Sequence, residues 1–177
     1  RNRSSYVDHR RAIRVRLCKM RSHKVLAVCL GNICRSPAAQ GILENVASNN
    51  RLFLELDSAG TAAYHLGNPP DSRSIAALKN VGIDISQQKA RQVTISDFNE
   101  YDWILAMDRE NLINLKKIQP EHSKATLVMF GEFDQHVALG EVVDPYYGGD
   151  EGFTVMRKHL TDIAQAFVNH LNSRRED

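Results

Sequence analysis

Residues 28–37 read Val-Cys-Leu-Gly-Asn-Ile-Cys-Arg-Ser-Pro and join an apolar run to the start of a helix. The run 25–28 is typical of a buried strand, while Ser36 is a good N-cap and Pro37 a good first helical residue. A loop that enters a helix directs several backbone N–H groups into one concavity, and the helix dipole adds positive charge there. These ten residues therefore predict an anion-binding loop between a strand and a helix.

The rest of the chain alternates short apolar runs with helical segments and contains no internal repeat or low-complexity stretch. The predicted strands cover residues 25–28, 52–57, 103–107 and 126–130, and the predicted helices cover residues 37–47, 71–80 and 109–118. A last helix carries an apolar stripe from Phe153 to Leu171. This alternation predicts a single α/β domain, a four-stranded parallel sheet with helices on both faces. The ligand of such a sheet lies at the carboxyl ends of its strands.

The 177 residues carry a net charge of +2, but the charge is unevenly distributed. Residues 1–24 hold nine of the 23 Lys and Arg residues and one of the 21 Asp and Glu residues, so the remainder has a net charge of −6. Such a basic segment is compatible with nucleic acid, anionic lipid or a mitochondrial import receptor. Met20 is the first methionine, however, and the first strand follows almost at once. We therefore expect residues 1–23 to be an added or upstream-translated extension, with no nucleic-acid partner, and residues 24–177 to be the domain.

No stretch approaches the roughly 18 apolar residues that span a bilayer, and the first residues lack the pattern of a secretory signal. We therefore predict a cytoplasmic protein without a membrane partner. The three cysteines, Cys18, Cys29 and Cys34, do not indicate an extracellular disulfide framework. The seven histidines show no metal-ligand spacing, so the sequence predicts neither a metal nor a cofactor.

Cys29 and Arg35 are the residues of the loop that carry chemistry. A thiol at a helix N-terminus beside an arginine is favoured as the thiolate, which makes Cys29 the candidate nucleophile. The Arg35 guanidinium can bind two phosphate oxygens at once. Ser36 can hydrogen-bond the sulfur, and Gly31 and Asn32 tolerate the left-handed backbone of a tight cradle. The set predicts attack on a phosphoester through a phosphocysteine intermediate, whereas a purely structural Cys29 would leave the other residues unexplained.

Residues 29–37 resemble the phosphate loop of low-molecular-weight protein tyrosine phosphatases. Further blocks resemble the same family in the same order, namely residues 57–61, 89–92, 106–108 and 144–148. The resemblance covers residues 24–171 and implies hydrolysis of protein phosphotyrosine and small aryl phosphates. The implied partners are tyrosine-phosphorylated proteins and, in the active site, inorganic phosphate or similar oxyanions. The implied phosphate-binding residues are Leu30, Gly31, Asn32, Ile33, Cys34, Arg35 and Ser36.

Asp144 is the candidate proton donor, because a phenolate is expelled more easily when its oxygen is protonated. An Asp-Pro pair alone is more often a turn, but the resemblance gives this aspartate the role of general acid and then general base. The resemblance also implies an aromatic pocket and a polar network that supports the loop. The implied pocket residues are Leu30, Ile33, Tyr64, Tyr146 and Tyr147, and the support residues are Asn32, Ser36 and Ser58.

Three further positions have alternative interpretations. The resemblance implies that Cys34 forms a protective disulfide with Cys29 on oxidation, and the alternative is a small buried packing residue. Gln88 stands where relatives often carry a histidine, so we expect the support of the loop to be altered there. Asp108 precedes a predicted helix and is expected to be its N-cap rather than a second catalytic acid.

Other functions on the same fold remain open at this stage. Arsenate reductases of the thiol-relay type share the fold and the loop but need further cysteines, and none follows Cys34. Protein arginine phosphatases carry a threonine in place of Ile33. A catalytically silent phosphotyrosine-binding module is the third alternative, and the joint presence of Cys29, Arg35 and Asp144 argues against it.

Overall fold

The computed structural model describes residues 22–136 and 138–174. Its four strands are β1 (His23–Cys29), β2 (Leu54–Gly60), β3 (Trp103–Ala106) and β4 (Thr126–Met129). They pair in parallel in the order β2-β1-β3-β4. The helices are α1 (Arg35–Asn49), α2 (Ser72–Lys79), α3 (Asp97–Glu100), α4 (Arg109–Ile118) and α5 (Asp150–Ser173), and the 3₁₀ turns are Phe130–Phe133 and Ala138–Gly140. The predicted α/β fold with a four-stranded parallel sheet is therefore confirmed.

The sheet is covered on both faces because successive side chains of each strand point in opposite directions. Val25 and Ala27 of β1 pack in one core with residues of α1, α2 and α5. Leu26 and Val28 pack in a second core with residues of α3 and α4. The predicted apolar stripe of α5 is buried in the first core, and it consists of Phe153, Met156, Leu160, Ile163, Phe167 and Leu171. No helix in the described ranges is long and apolar enough to cross a membrane.

Most element boundaries differ from the sequence prediction by one to three residues, and two of these differences bear on the site. β2 ends at Gly60 rather than at residue 57, because residues 58–60 continue to pair with β1. The helix α1 begins at Arg35, and its N-cap residue is Cys34. The prediction of Ser36 as N-cap is therefore wrong, and the Ser36 hydroxyl is engaged with the loop instead. The predicted N-terminal extension lies, for residues 1–21, outside the described residues.

Candidate active site

The loop between β1 and α1 lies at the carboxyl end of the sheet, where β1 is flanked by β2 and β3. The residues after β2 hold its backbone, since the Thr61 N–H donates to the Cys29 carbonyl at 2.9 Å and the Ala62 N–H donates to the Leu30 carbonyl at 3.0 Å. Gly60 allows this close approach, because a Cβ there would lie 2.7 Å from the Leu30 carbonyl oxygen. In the strand order, β2 lies on one side of β1, and β3 and β4 lie on the other. Open α/β sheets bind ligands at such a switch point in the strand order.

Asn32 supports the loop from inside. Its φ of 57° lies in the left-handed region, and its side chain is buried. The Asn32 Nδ2 donates to Ser36 Oγ at 2.8 Å and to Ser58 Oγ at 2.9 Å. The Asn32 Oδ1 accepts from the Arg91 backbone N–H at 3.0 Å. The structure thus brings together the three residues expected to support the loop and adds Arg91 to them.

Cys29 lies at the floor of the pocket with 3% of its surface exposed. The Cys29 Sγ lies 3.0 Å from Ser36 Oγ. The Ala59 carbonyl oxygen, the other acceptor near this hydroxyl, lies 3.3 Å from Ser36 Oγ. Since Asn32 already donates to this hydroxyl oxygen, the hydroxyl proton can point at the sulfur. The α1 N-terminus has no side-chain cap, so its dipole places partial positive charge beside the loop. Both features stabilise negative charge that develops on the Cys29 sulfur.

Arg35 is a buried cation surrounded by acceptors. Its Nη1 donates to Asp108 Oδ2 at 2.5 Å and to the Val142 carbonyl at 3.1 Å, and its Nη2 lies 3.4 Å from Asp144 Oδ2. Burial lowers the pKa of Arg35, but interactions with Cys29, Asp108 and Asp144 outweigh burial and raise it. The guanidinium is therefore permanently charged at the wall of the pocket.

Asp108 is an active-site residue that sequence reasoning did not identify. As expected it caps α4, where its Oδ1 accepts from the Asn111 N–H at 2.7 Å. Its other carboxylate oxygen accepts from Arg35. The cap fixes the carboxylate on the helix, and its bond to Arg35 orients the guanidinium.

A cavity of about 300 Å³ opens over Cys29. Its wall includes every residue expected in the pocket, together with both other predicted catalytic residues: Leu30, Ile33, Tyr64, Tyr146 and Tyr147, with Arg35 and Asp144. The side chains of Asn32 and Ser36 lie behind the loop instead and are buried. Among the described residues no group of three or more His, Cys, Asp or Glu side chains could hold a metal ion.

The rim of the pocket is aromatic and largely open to solvent. Tyr64 is 74% exposed and Tyr147 is 95% exposed, whereas Tyr146 is 36% exposed and lies deeper. The Tyr146 and Tyr147 rings meet edge to face with centroids 5.0 Å apart. His65, which sequence reasoning missed, also lines the wall, and a Cβ on Gly31 would lie 3.0 Å from its Cδ2. The flat walls suit an aryl group.

Cys34 lines the same pocket as Cys29. Its pKa is raised to about 12, chiefly by burial and further by the charges of Asp71, Cys29 and Asp144. Cys34 is 5% exposed, and both cysteines are free thiols. Cys34 is therefore a neutral thiol at physiological pH.

Arg91 anchors the segment that reaches Asn32. Its guanidinium pairs with Asp57 at 3.0 Å and with the buried Asp97 at 2.9 Å. Gln88, three residues earlier, donates from Nε2 to the Pro37 carbonyl at 3.1 Å, while its buried Oε1 has no partner among the described residues. Gln88 thus contacts the first turn of α1, and the network of Asn32 is completed without it.

Comparison with known proteins gives a consistent result. The family model described as low molecular weight phosphotyrosine protein phosphatase matches residues 24–177. The Schizosaccharomyces pombe protein named low molecular weight phosphotyrosine protein phosphatase is 42% identical over 151 residues, which are 84% of this chain and 96% of that protein. The Rattus norvegicus protein of the same name is 41% identical over 160 residues, covering 86% and 98%. The crystal structure of the protein tyrosine phosphatase from Entamoeba histolytica with Hepes in the active site aligns with a TM-score of 0.82 and 38% identity, over 87% of this chain and 99% of that one.

Proposed function

The chain belongs to the low molecular weight phosphotyrosine protein phosphatase family, enzymes that hydrolyse protein phosphotyrosine, and we propose that it acts through a phosphocysteine intermediate on Cys29. The observation that supports this mechanism best is the meeting of Cys29, Arg35 and Asp144 in one pocket. Cys29 lies at its floor, while Arg35 and Asp144 lie on its wall within 3.4 Å of each other.

In the first step, the phosphate binds to the N–H groups of the loop and to Arg35, which places the phosphorus over the Cys29 sulfur. The thiolate forms the S–P bond as the P–O bond to the phenol breaks. Asp144, as the carboxylic acid, gives its proton to the departing oxygen. Ser36 stabilises the sulfur through the contact at 3.0 Å.

In the second step, Asp144 is a carboxylate and takes a proton from water. The water oxygen forms a bond to phosphorus, the S–P bond breaks, and Cys29 leaves as the thiolate stabilised by Ser36. Inorganic phosphate is released and Asp144 is again protonated. The permanent charge of Arg35 stabilises the oxyanion in both steps.

The substrate class follows from the shape of the pocket. Tyr64, Tyr146 and Tyr147 at the rim, with Leu30 and Ile33 on the wall, would accept the ring of phosphotyrosine on a protein. The Entamoeba histolytica relative holds Hepes, a sulfonate, in its active site. We accordingly propose tyrosine-phosphorylated proteins as substrates and inorganic phosphate or similar oxyanions as ligands of the loop.

The functions left open on the sequence are less well supported. A thiol-relay arsenate reductase needs further cysteines, and no cysteine follows Cys34. Ile33 rather than threonine lines the pocket, which disfavours an arginine phosphatase. A silent binding module does not account for a buried thiol with a hydroxyl donor beside it.

Side-by-side hydrolysis of phosphotyrosine, phosphoserine and phosphoarginine peptides tests the substrate class. We expect phosphotyrosine to be turned over with kcat/KM at least about 100-fold higher than the other two, because its ring can contact the aromatic rim while its phosphorus lies over the buried sulfur, whereas phosphoserine is too short and phosphoarginine has no aryl ring. A chelator should not change the rate. Faster hydrolysis of phosphoarginine would instead assign the enzyme to the arginine-specific relatives.

The domain and its location complete the proposal. We propose that the phosphatase domain takes up residues 24–177, that residues 1–23 are an extension of it, and that the enzyme works in the cytoplasm. The match of the family model from residue 24 onward supports the boundary. A reducing compartment would keep Cys29 and Cys34 in the free form found here.

We further propose that the site is regulated by oxidation. Peroxide takes two electrons from the Cys29 thiolate and leaves a sulfenic acid, and the Cys34 sulfur then displaces water from it to form a disulfide. Cys34, with its pKa raised to about 12, is not the first target of oxidation. Its thiolate fraction rises about tenfold per pH unit below that value, so the disulfide should form faster at pH 9 than at pH 7.

Mild peroxide should therefore inactivate the enzyme, a thiol reductant should restore it, and bound phosphate should slow the loss. Cys34→Ser, compared with its own untreated activity, should recover poorly after the same exposure. Peptide mass mapping identifies the bond. If no Cys29–Cys34 linkage forms, or if Cys34→Ser recovers as fully as the wild type, Cys34 is only a packing residue.

A further inference from the structure

Arg73 contacts the loop that carries Asp144 but takes no part in the chemistry described above. It lies in the first turn of α2. Its Nη1 donates to the Gly148 carbonyl at 3.1 Å, and its Nη2 donates to the Tyr146 carbonyl at 3.0 Å. Its guanidinium carbon also lies 5.7 Å from the centroid of the Tyr146 ring. Arg73 thus binds the backbone two and four residues after Asp144.

Asp71 fixes the direction of the Arg73 guanidinium. The Arg73 Nε donates to Asp71 Oδ1 at 3.0 Å, and the Arg73 Nη2 donates to Asp71 Oδ2 at 2.9 Å. The guanidinium also packs on Phe153 of α5, with its carbon 4.5 Å from the ring centroid. A planar fork held by both oxygens of one carboxylate has little freedom to turn, and a lysine could not reproduce this geometry.

The same turn of α2 is bonded to the phosphate loop. The Asp71 N–H donates to the Ile33 carbonyl at 2.7 Å. The Ser74 hydroxyl donates to the Cys34 carbonyl at 3.1 Å, and Ser74 is fully buried. One helical turn therefore contacts the phosphate loop through Asp71 and Ser74. Through Arg73 it contacts residues 144–148, here called the acid loop.

The acid loop needs an external support of this kind. Its own hydrogen bonds are local, from the Gly148 N–H to the Pro145 carbonyl and from the Tyr146 N–H to Asp144 Oδ1. Tyr147 is 95% exposed, and the Asp144 side chain is 39% exposed with a long contact of 3.4 Å to Arg35. The place of the Asp144 carboxyl thus depends on how the backbone of residues 145–148 is held.

We propose that Arg73 is a positioning residue for proton transfer. By holding the acid loop against α2, it fixes the distance between the Asp144 carboxyl and the phosphate loop. The inference rests on the proposed function, because it takes Asp144 to be the proton donor. A misplacement of about 1 Å can lower a rate by about 10²-fold, and proton transfer tolerates such an error poorly. The phosphate ligands are the loop N–H groups and Arg35, which Asp108 and the Val142 carbonyl also hold, so we expect phosphate binding to change little.

The test compares Arg73→Gln and Arg73→Lys with the wild type on aryl phosphates whose leaving phenols span a wide range of acidity. Under single-turnover conditions, both variants should lose about 10- to 100-fold in the rate of phosphocysteine formation from esters with the least acidic leaving groups and little from those with the most acidic ones. Inhibition by inorganic phosphate should stay within about twofold of the wild type. A loss that is equal for all leaving groups, or full activity of Arg73→Lys, would refute positioning by the guanidinium fork.

Arg157→Gln is the matched control. Arg157 of α5 also donates to a backbone carbonyl of α2, that of Ala77 at 2.8 Å, so its loss removes a comparable bond at the far end of the helix. The melting temperatures of both glutamine variants show how much stability each lost hydrogen bond costs, so that a loss of stability can be distinguished from a loss of catalysis. In Arg157→Gln, the way the rate depends on the acidity of the leaving group should be the same as in the wild type. If this dependence changed as much as in Arg73→Gln, the effect of Arg73 would be a general structural one.

The double variant Arg73→Gln/Asp144→Asn separates failure of this inference from failure of the proposed function. If Arg73 acts through Asp144, Arg73→Gln should cost nothing further in the Asp144→Asn background. A full additional loss there would overturn the positioning role while leaving Asp144 as the acid. If the loss of rate caused by Asp144→Asn alone is the same for all leaving groups, Asp144 is not the proton donor, whatever Arg73 does.

Discussion

Cys29→Ser is expected to lower the turnover of aryl phosphates by about 10⁴-fold or more while phosphate binding persists. A serine hydroxyl in the same place is not ionised at neutral pH, so the attacking group is lost. The phosphate ligands remain, since Arg35 is held by Asp108 and Val142 and the loop by Asn32, none of which requires the sulfur. Removal of the thiolate charge also removes its repulsion of the phosphate dianion.

Two measurements check this expectation together. Steady-state and single-turnover kinetics give the rate, and the rise in melting temperature with added phosphate reports binding to the folded protein. The variant should melt near the wild type without phosphate and should shift at least as much with it. Substantial turnover by a pure sample of the variant would mean that another group attacks the phosphorus.

The fold could be predicted from the sequence because a strand that is buried on both faces of the sheet is apolar at consecutive positions. Residues 25–29 of β1 and all of β3 are continuous apolar runs, and the stripe of α5 repeats at the helical period. The end of β2 was missed because residues 58–60 are Ser-Ala-Gly, weak strand formers whose pairing is imposed by β1. The short helix α3, four residues long, offers too few positions for a period to be recognised.

The part of the candidate site that could be predicted is the part whose residues are consecutive in the sequence. Residues 29–36 lie in one loop, so their types and order indicate an oxyanion cradle directly. The missed contributors join it across long separations in the chain, 73 residues between Arg35 and Asp108 and 59 between Asn32 and Arg91. An N-cap aspartate is common, and Arg91 contacts Asn32 through its backbone N–H, so neither residue type indicates the contact and only the tertiary fold reveals it.

Asp144→Ala is expected to slow hydrolysis of phosphotyrosine by about 10²- to 10⁴-fold, the usual contribution of one general acid. The phenolate of tyrosine is a poor leaving group and needs the proton. An ester whose phenol is much more acidic leaves without help, so its formation of phosphocysteine should be affected far less. Arg35 keeps its bonds to Asp108 and Val142 in this variant, so phosphate should still bind.

The decisive measurement is how the logarithm of the rate constant for phosphocysteine formation depends on the pKa of the leaving phenol. Single-turnover conditions give this constant because they observe the first step alone. The wild type should show a shallow slope because Asp144 neutralises the developing charge, and Asp144→Ala should show a steep one. Asp144→Asn is the control for shape, since it keeps the side-chain volume and the acceptor for the Tyr146 N–H at 3.1 Å but cannot donate a carboxylic proton. It should behave like Asp144→Ala. If both variants lose the same factor on every leaving group, Asp144 orients Arg35 or the loop, and the proton comes from elsewhere.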